Sequence, residues 1–328
     1  MNLKVLDRII ITGGSGFIGR HLVKKILSSN IQSVVIISNT PNGLAETELS
    51  HDKRLTRYTA DIRDSSKILQ IIEDVKPDTC VHLAAKVSVP ESIKNPEETM
   101  EINVKGSLNV LEACYKSQVN NFVFASSAAV YGDTKELPIS ENCILRPLSP
   151  YGESKMLAEQ HVFRYSKLKK IQNTIALRIF NVYGLGQVSE SDVVTKFARR
   201  LSKGLPPMIY GNGKHTRDFV SVDDVANAIL LSVRAMEDHN DENYKSNSNP
   251  VFNIGTGTST SIKELAQKMI SISGLKLHPI YEKENHDNRV ILHSYANITQ
   301  AKNTLHFVPK KDIERGLEEI IGPMLIKK

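Results

Sequence analysis

Strand-like apolar segments alternate with amphipathic segments through the first half of the chain. Short runs typical of strands buried on both faces of a parallel sheet occur at Arg8–Ile11, Val34–Ile37, Arg57–Ala60, Thr79–Leu83, Phe122–Ala125 and Thr174–Ile179. Between them, apolar residues recur three and four positions apart, as on one face of a helix, within Phe17–Leu27, Ser65–Val75 and about Glu97–Ser117. This alternation predicts a doubly wound α/β fold, a parallel sheet with helices on both faces.

The longest predicted helix, about Glu97–Ser117, carries a continuous apolar stripe. Its members recur at helical spacing and are Met100, Val104, Leu108, Leu111 and Tyr115.

The second half of the chain is less regular. Pro206-Pro207, Gly211-Asn212-Gly213 and Gly255-Thr256-Gly257 interrupt it, and the asparagine-rich stretch Asp238–Pro250 predicts an exposed loop. We predict a Rossmann-type dinucleotide-binding domain over residues 1–180 and a smaller mixed α/β substrate domain over residues 181–328. Segments around residues 218–254 are expected to return to the first domain.

Composition excludes several classes of protein. The chain has 328 residues, 40% hydrophobic and 24% charged, as expected of a globular enzyme. It has no apolar run near the roughly 18 residues that span a bilayer, and its start does not resemble a secretory signal. Cys80, Cys114 and Cys143 are too far apart for a disulfide framework or a C-x-x-C zinc site. We therefore expect a cytoplasmic protein without a membrane partner, and we assign no metal.

The net charge of +6 does not indicate nucleic-acid binding. The basic residues are scattered as pairs such as Lys24-Lys25 and Arg199-Arg200, without interleaved aromatic residues, and tryptophan is absent. This pattern is typical of a solvated basic surface.

A glycine-rich loop lies between the first predicted strand and the first predicted helix. Within residues 12–19, Gly14, Gly16 and Gly19 satisfy G-x-G-x-x-G. Glycines at this spacing allow a tight turn and let backbone approach a pyrophosphate, which the helix N-terminus then binds. The loop predicts contacts to a dinucleotide from Gly13, Gly14, Ser15, Gly16, Phe17, Ile18 and Gly19.

The residues that would select the dinucleotide leave NAD and NADP both open. An acidic residue is expected about 20 positions after the loop, on the adenosine ribose, but Ser38 stands at the end of the second strand. Arg20 and Arg54 are conceivable partners of a 2′-phosphate. Asp61 either accepts from the adenine amino group or caps the helix that begins near Ser65.

Tyr151 and Lys155 lie four residues apart at the start of a predicted helix, so they share one face. An ammonium near the phenol favours the phenolate and lowers the tyrosine pKa, as a general base requires. Ser127 follows a buried strand, at the sheet edge where such folds bind ligands, and its hydroxyl can orient a substrate oxygen or the phenol. His82, at the end of another buried strand, is expected to be structural.

Together these segments resemble the extended short-chain dehydrogenases/reductases, the NAD-dependent epimerase/dehydratase family. The matching motifs cover nearly the whole chain and are Thr12–Gly19, His82–Ala85, Ser126–Gly132, Tyr151–Lys155, Arg178–Gly184, Arg217–Asp224, Asn253–Gly257 and Tyr295–Asn297. Within the family the chain is most similar to the UDP-sugar 4-epimerases. Dehydratases usually carry an Asp-Glu pair after the catalytic Ser or Thr, whereas Ala128-Ala129 stand here.

The resemblance implies an NAD-dependent epimerase of a nucleotide sugar, of the UDP-glucose/UDP-galactose type, that works through a transient 4-keto intermediate. Tyr151 would act as acid/base, Lys155 would hold the nicotinamide ribose, and Ser127 would bind the sugar 4-oxygen. Further cofactor contacts would come from Ser38, Asp61, Ile62, Leu83, Ala84 and Ala85. The implied substrate residues are Lys86, Ser88, Ser127, Asn181, Arg217 and Arg289, the last in place of a family arginine where Asp287 stands. A homodimer through the Glu97–Ser117 helix and the helix after Tyr151 is also implied.

Two other functions compete with epimerisation. One is another sugar-nucleotide oxidoreductase, namely an NADPH-dependent 4-ketoreductase, a decarboxylase or a dehydratase; Ser38 in place of an acid favours the reductase. The other is a nucleotide sensor without catalysis, which the presence of Ser127, Tyr151 and Lys155 argues against.

Overall fold

The computed structural model describes residues 6–40, 48–188, 192–237, 250–283 and 291–326. Its strands, in chain order, are β1 Leu6–Thr12, β2 Ile31–Ser38, β3 Leu55–Thr59, β4 Thr79–His82, β5 Asn121–Ser127, β6 Asn173–Ile179, β7 Asn181–Tyr183, β8 Met208–Tyr210, β9 Thr216–Arg217, β10 Phe219–Ser221, β11 Val251–Ile254, β12 Thr260–Ser261, β13 Ile280–Glu282 and β14 His293–Ser294. The α-helices are α1 Phe17–Leu27, α2 Ser65–Val75, α3 Val89–Lys94, α4 Pro96–Met100, α5 Gly106–Lys116, α6 Pro150–Lys167, α7 Val193–Ser202, α8 Val222–Glu237, α9 Ile262–Ser273, α10 Thr299–Leu305 and α11 Ile313–Ile326.

The first domain is built on a parallel sheet of seven strands in the order β11-β6-β5-β4-β1-β2-β3. The central strands are apolar throughout because both faces are covered: Ile9, Ile10 and Ile11 are all almost fully buried. Ile9 and Ile11 pack in one core with α1 and α8, while Ile10 packs in the other with α2, α5 and α6. The prediction of a doubly wound Rossmann-type fold is therefore confirmed.

The predicted long helix is present, but one turn of it is not α-helical. Residues Glu101–Lys105 form a π-helical turn between α4 and α5. Gly106 begins α5 and approaches the loop after β3 so closely that a Cβ there would lie 2.6 Å from the Ile62 side chain. Most of the apolar stripe is not in the core: of its five members only Leu111 is buried, and Met100, Val104 and Leu108 line a surface groove with Leu157 of α6.

The second lobe is mixed and has its own core. Short strand pairs, β7–β10 and β8–β13, and the small sheet β12-β9-β14 lie beside α7, α9 and α11. Its buried apolar residues include Tyr183, Phe197, Ile209, Leu265, Met269 and Leu317. Two elements of this part of the sequence join the first domain, since α8 packs on its core and β11 extends its sheet.

Two sequence predictions concern residues outside the described ranges. Of the predicted exposed loop, residues 238–250, only Pro250 is described, and Arg289 is not described. Among the helices that the structure describes, none combines the length and apolarity needed to cross a membrane.

Candidate active site and nucleotide site

The glycine loop after β1 closes a turn that side chains would block. Gly13 has φ of +72°, and a Cβ on it would lie 2.7 Å from the Ala84 nitrogen. A Cβ on Gly19 would lie 2.3 Å from the Gly13 carbonyl oxygen, which already accepts from Gly16 N–H at 2.9 Å. Backbone therefore runs against backbone here, as a pyrophosphate-binding turn requires.

Helix α1 begins at this loop with the charge pattern of an anion site. Its N-cap, Gly16, has no side chain to satisfy the first N–H groups, and the first turn carries no acidic residue. The free N–H groups and the positive end of the helix dipole therefore face the turn. Phe17, Ile18 and Gly19 supply these groups, so the loop fits the diphosphate of a dinucleotide.

Two serine hydroxyls meet where an adenosine ribose is expected, one from the glycine loop and one from the end of β2. The Ser15 and Ser38 hydroxyls hydrogen-bond to one another, and Ser38 Oγ also accepts from Thr40 N–H at 3.2 Å. A serine pair therefore stands where a ribose-binding carboxylate is usual, and it can both donate to and accept from a ribose hydroxyl.

Asp61 does not cap α2, because Asp64 does so by accepting from Lys67 N–H at 3.0 Å. Instead, Asp61 forms an ion pair with Arg63 at 2.6 Å, and this hydrogen bond lowers the pKa of the carboxyl. The neighbouring Ile62 is buried, and its carbonyl accepts from Asn109 at 3.0 Å. The Asp61 carboxylate stays partly exposed on this loop, where it can accept from an adenine amino group.

The two arginines considered as phosphate partners have other roles. The prediction for Arg54 is wrong. Arg54 pairs with Asp52 at 2.7 Å and donates to the Leu27 carbonyl at 2.7 Å, and these contacts lie at the amino ends of the strands. The glycine loop lies at the opposite, carboxyl edge of the sheet. Arg20 donates to the Gly186 carbonyl and lies against the Phe17 ring, so it links α1 to the loop after β7.

The segment after β4 passes directly beside the glycine loop. Leu83 N–H donates to the Thr12 carbonyl at 3.0 Å, and Ala84 N–H to the Thr12 hydroxyl at 3.3 Å. His82 is buried between Thr12 and Ser107 at 2.6 and 2.8 Å. Burial, and then the charge of Lys155, lower its pKa to about 3, so the ring is a neutral structural group.

The loop Ala85–Ser88 is held by a residue that sequence reasoning missed. Asn103, in the π-helical turn, accepts from Lys86 N–H at 2.7 Å, donates to its carbonyl at 2.9 Å and donates to Ser154 Oγ at 2.9 Å. The Lys86 ammonium pairs with Glu98, and Ser88 caps α3. In the sequence, Asn103 stands out as a polar residue next to the apolar stripe of a predicted helix, and this was the signal that could have identified it. In the structure it lies in a π-helical turn, and such turns often occur at functional sites.

Three predicted residues meet at the start of α6, whose N-cap Ser149 accepts from Gly152 N–H at 3.1 Å. A hydrogen bond joins Tyr151 to Ser127 at the end of β5. The Lys155 ammonium is only 4% exposed and donates to the Ala125 carbonyl at 2.8 Å, beneath the Phe124 ring. The structure therefore brings the half-buried Ser127 and Tyr151 together with the buried Lys155.

The pKa values differ from the expectation for this pair. Burial raises the pKa of Tyr151, and the hydrogen bond with Ser127 opposes that rise. Burial lowers the pKa of Lys155 to about 7. Desolvation disfavours the phenolate and the ammonium alike, so the lysine does not lower the tyrosine pKa in this arrangement, and the serine does. A buried lysine whose pKa is lowered this far is typical of catalytic sites.

The second lobe contributes two of the predicted substrate residues. Asn181 N–H donates to the Asp218 carbonyl at 3.0 Å, which places Asn181 beside Arg217. The Arg217 guanidinium donates to the Thr216 carbonyl at 2.8 Å, and burial lowers its pKa while Asp133 opposes this. An amide and an arginine so placed can bind an anionic diphosphate.

Asp218 is a further residue that sequence reasoning did not assign. Its buried carboxylate accepts from Thr256 N–H at 2.7 Å, Gly257 N–H at 2.9 Å and Ala296 N–H at 3.1 Å. It therefore ties two other chain segments, at residues 256–257 and at residue 296, to the position next to Arg217.

Comparison with known proteins agrees with this geometry. The sequence model of the NAD dependent epimerase/dehydratase family matches residues 9–255. A putative UDP-glucose 4-epimerase of Methanocaldococcus jannaschii is 36% identical over 96% of this chain and 98% of its own length. Among solved structures, Thermotoga maritima UDP-glucose 4-epimerase with UDP-glucose has a TM-score of 0.85 and 31% identity, covering 98% of both chains. A UDP-N-acetylglucosamine 4-epimerase from Methanobrevibacter ruminantium, in complex with UDP-N-acetylmuramic acid, has a TM-score of 0.86 and 29% identity, covering 99% of this chain and all of that one.

Proposed function

The chain belongs to the NAD-dependent epimerase/dehydratase family, and we propose that it inverts C4 of a UDP-linked hexose, of the UDP-glucose/UDP-galactose type, with bound NAD. The observation that carries this proposal is that Ser127, Tyr151 and the buried Lys155 lie together beside a glycine loop whose geometry fits a diphosphate. The relatives and solved structures named above support the same substrate class.

The reaction follows from what each side chain can do. NAD, held by the glycine loop and by Lys155, would supply reversible hydride transfer at C4 of the sugar. Tyr151 accepts the proton of the 4-hydroxyl as the hydride leaves, and gives it back to the 4-oxygen on return, so protons and electrons balance. Ser127 holds that oxygen and, through its hydrogen bond, favours the phenolate.

Lys155 is assigned to cofactor binding, and residues of the second lobe are assigned to substrate binding. The lysine lies one helical turn from Tyr151 and would donate to the nicotinamide ribose. Asn181 and Arg217 hold the diphosphate of the sugar nucleotide, while the sugar itself must turn to present its opposite face. The loop at Lys86 and Ser88 lies beside the sugar in this assignment.

A panel of sugar nucleotides tests the proposal. The purified protein is incubated with UDP-glucose, UDP-galactose and their N-acetylamino counterparts, and the products are separated by chromatography. Interconversion of a C4 pair without added reductant is expected, and Tyr151→Phe serves as the inactive control. Absence of interconversion with every pair would refute the proposed activity.

One alternative retains a specific observation in its favour. An NADPH-dependent 4-ketoreductase must accept the 2′-phosphate of its cofactor. Ser38 carries no negative charge that would repel this phosphate. Such an enzyme would need added NADPH and a 4-keto substrate, whereas the epimerase would keep its cofactor through purification. The nicotinamide content of the purified protein separates the two.

We also propose that two copies pair through the groove between α4–α5 and α6. Its apolar lining, Met100, Val104, Leu108 and Leu157, is only partly covered within one chain, and a two-fold dimer is the commonest way to cover such a face. Light scattering should give twice the chain mass. Leu108→Lys should shift it toward the monomer, while Leu168→Lys, on a leucine that is already 57% exposed, should not.

A further inference from the structure

The catalytic helix carries a third polar residue in line with the two already described. Tyr151, Lys155 and Glu159 follow one another at four-residue intervals along α6, so they share the face that is turned toward β5. Like the other two, Glu159 contacts the end of that strand, because its carboxylate accepts from the Ser126 hydroxyl at 2.7 Å. Three consecutive residues of β5 are thus tied to one stripe of the helix.

The Glu159 carboxylate is also held by the neighbouring strand. Arg178 of β6 is the direct Cα partner of Ser126, and its guanidinium meets both carboxylate oxygens, at 2.5 and 3.1 Å. The two side chains are 6% and 3% exposed. The Glu159 carboxylate of α6 therefore accepts hydrogen bonds from two adjacent strands, from Ser126 of β5 and Arg178 of β6, at the carboxyl edge of the sheet.

Arg178 is itself fixed from its other side. It donates to the Tyr131 hydroxyl at 3.0 Å and to the Glu141 carbonyl at 2.9 Å. The Tyr131 hydroxyl in turn donates to Asn253 of β11 at 2.6 Å. The position of the Arg178 side chain is thus fixed by hydrogen bonds to the loop that follows β5, and through Tyr131 to β11 of the sheet.

We propose that Glu159 is a positioning residue: its bonds to Ser126 and Arg178 set the rotation and axial position of α6 on β5, and thereby the contact of Tyr151 with Ser127. This inference rests on the proposed function, in which that contact holds the acid/base. A displacement of about 1 Å at reacting groups can cost about 10² in rate, so a carboxylate eight residues from the phenol can control turnover without touching substrate.

The decisive variant removes the pair without leaving a buried charge. Glu159→Leu combined with Arg178→Met replaces both partners by apolar groups, a change that is often neutral for stability. Removing only one partner would leave the other as an unpaired buried charge, which is strongly destabilising. We expect thermal stability and cofactor binding close to wild type, KM within about threefold, and a kcat lower by about 10- to 100-fold. Val162→Ala, a fully buried residue of the same helix, is the control for general loosening and should leave kcat unchanged.

A second measurement does not depend on the sugar. The ionisation of the Tyr151 phenol is followed by ultraviolet difference absorption, each variant being compared with the same variant carrying Tyr151→Phe. Because the Ser127 hydrogen bond lowers the pKa of Tyr151, loss of the contact should move ionisation to higher pH, as it also should in Ser127→Ala. Ser126→Ala, a milder change, should shift it in the same direction and serves if the double variant does not fold.

The outcomes separate the two proposals. A phenol that ionises at the wild-type pH in the folded double variant, or in Ser126→Ala if only that variant folds, overturns the positioning role, whatever the turnover. A shifted phenol supports the role. A wild-type protein that converts no UDP-hexose refutes the proposed activity, and the phenol titration still decides the role of Glu159.

Discussion

The two ends of the cofactor site differ in how much water reaches them. At the catalytic end, Lys155 and Glu159 are 4% and 2% exposed, and each bonds to the end of β5. At the adenosine end, the Asp61 side chain is 35% exposed and its partner Arg63 44%. The first end is a junction of helix and sheet in which two charged side chains are buried, and the second is a partly solvated rim.

The contrast teaches where a substitution should alter chemistry and where it should alter only affinity. Electrostatic interactions are strong in a dry site and are weakened by water at a rim. Accordingly, the pKa of Lys155 falls to about 7, whereas that of Asp61 is lowered through its own local partner, Arg63. Four substitutions test this difference.

The largest effect is expected at the phenol. Tyr151→Phe removes the proton-transferring oxygen and keeps the ring, so turnover should fall by about 10² or more, with folding and NAD binding retained. Tyr115→Phe, at an exposed tyrosine of α5, is the matched control and should leave turnover unchanged. Near-normal turnover in Tyr151→Phe would remove this residue from the mechanism.

The buried ammonium should make stability depend on pH. The unfolded chain binds a proton at Lys155 up to about pH 10.5, the folded chain only up to about 7. Between these values the unfolded state holds more protons, so this lysine makes stability rise with pH. Relative to Lys155→Met, wild-type protein should gain about 4 kcal/mol over that window.

Denaturant unfolding of the apoprotein at pH 7 and pH 10 measures this gain. Lys167→Met, on an exposed lysine of the same helix, is the control and should change the two values equally. A pH-independent difference between wild type and Lys155→Met would mean that the ammonium is not desolvated.

At the rim, Ser38→Asp should change the choice of dinucleotide rather than the reaction. A carboxylate at the end of β2 can accept from Ser15 and from a ribose hydroxyl but repels a 2′-phosphate, so NADP affinity should fall by about tenfold. NAD affinity should hold or improve. Calorimetry on cofactor-free protein measures both, with Ser15→Ala as the control for loss of the serine–serine bond. If wild type already rejects NADP as sharply as the variant, another group sets the choice.

The smallest effect is expected at Asp61→Asn. The amide keeps an acceptor for adenine but loses the charge that pairs with Arg63 in a partly exposed position. Exposed pairs of this kind contribute up to about 1 kcal/mol, so NAD affinity should fall by no more than about fivefold. Turnover at saturating NAD should equal that of wild type, and a fall in kcat would show that the rim is coupled to the catalytic end.

The sequence by itself determined the features that depend on short-range spacing. Apolar runs and helical periodicity gave the doubly wound sheet, because both faces of these strands are buried. The glycine loop could be recognised because Gly16 and Gly19 pack against the backbone of Gly13 and Gly14, only a few residues away. Tyr151 and Lys155 were readable because a four-residue interval places both on one helical face.

Only the tertiary structure decided which polar groups meet across the chain. Asn103 binds Ser154 at a separation of 51 residues, Tyr131 binds Asn253 at a separation of 122, and Glu159 of α6 binds Arg178 of β6. The same holds for Arg54, whose position at the amino edge of the sheet removed it from the phosphate site. The pKa of Tyr151 also depends on the fold, because desolvation is produced by all the elements packed around a group and has no local pattern in the sequence.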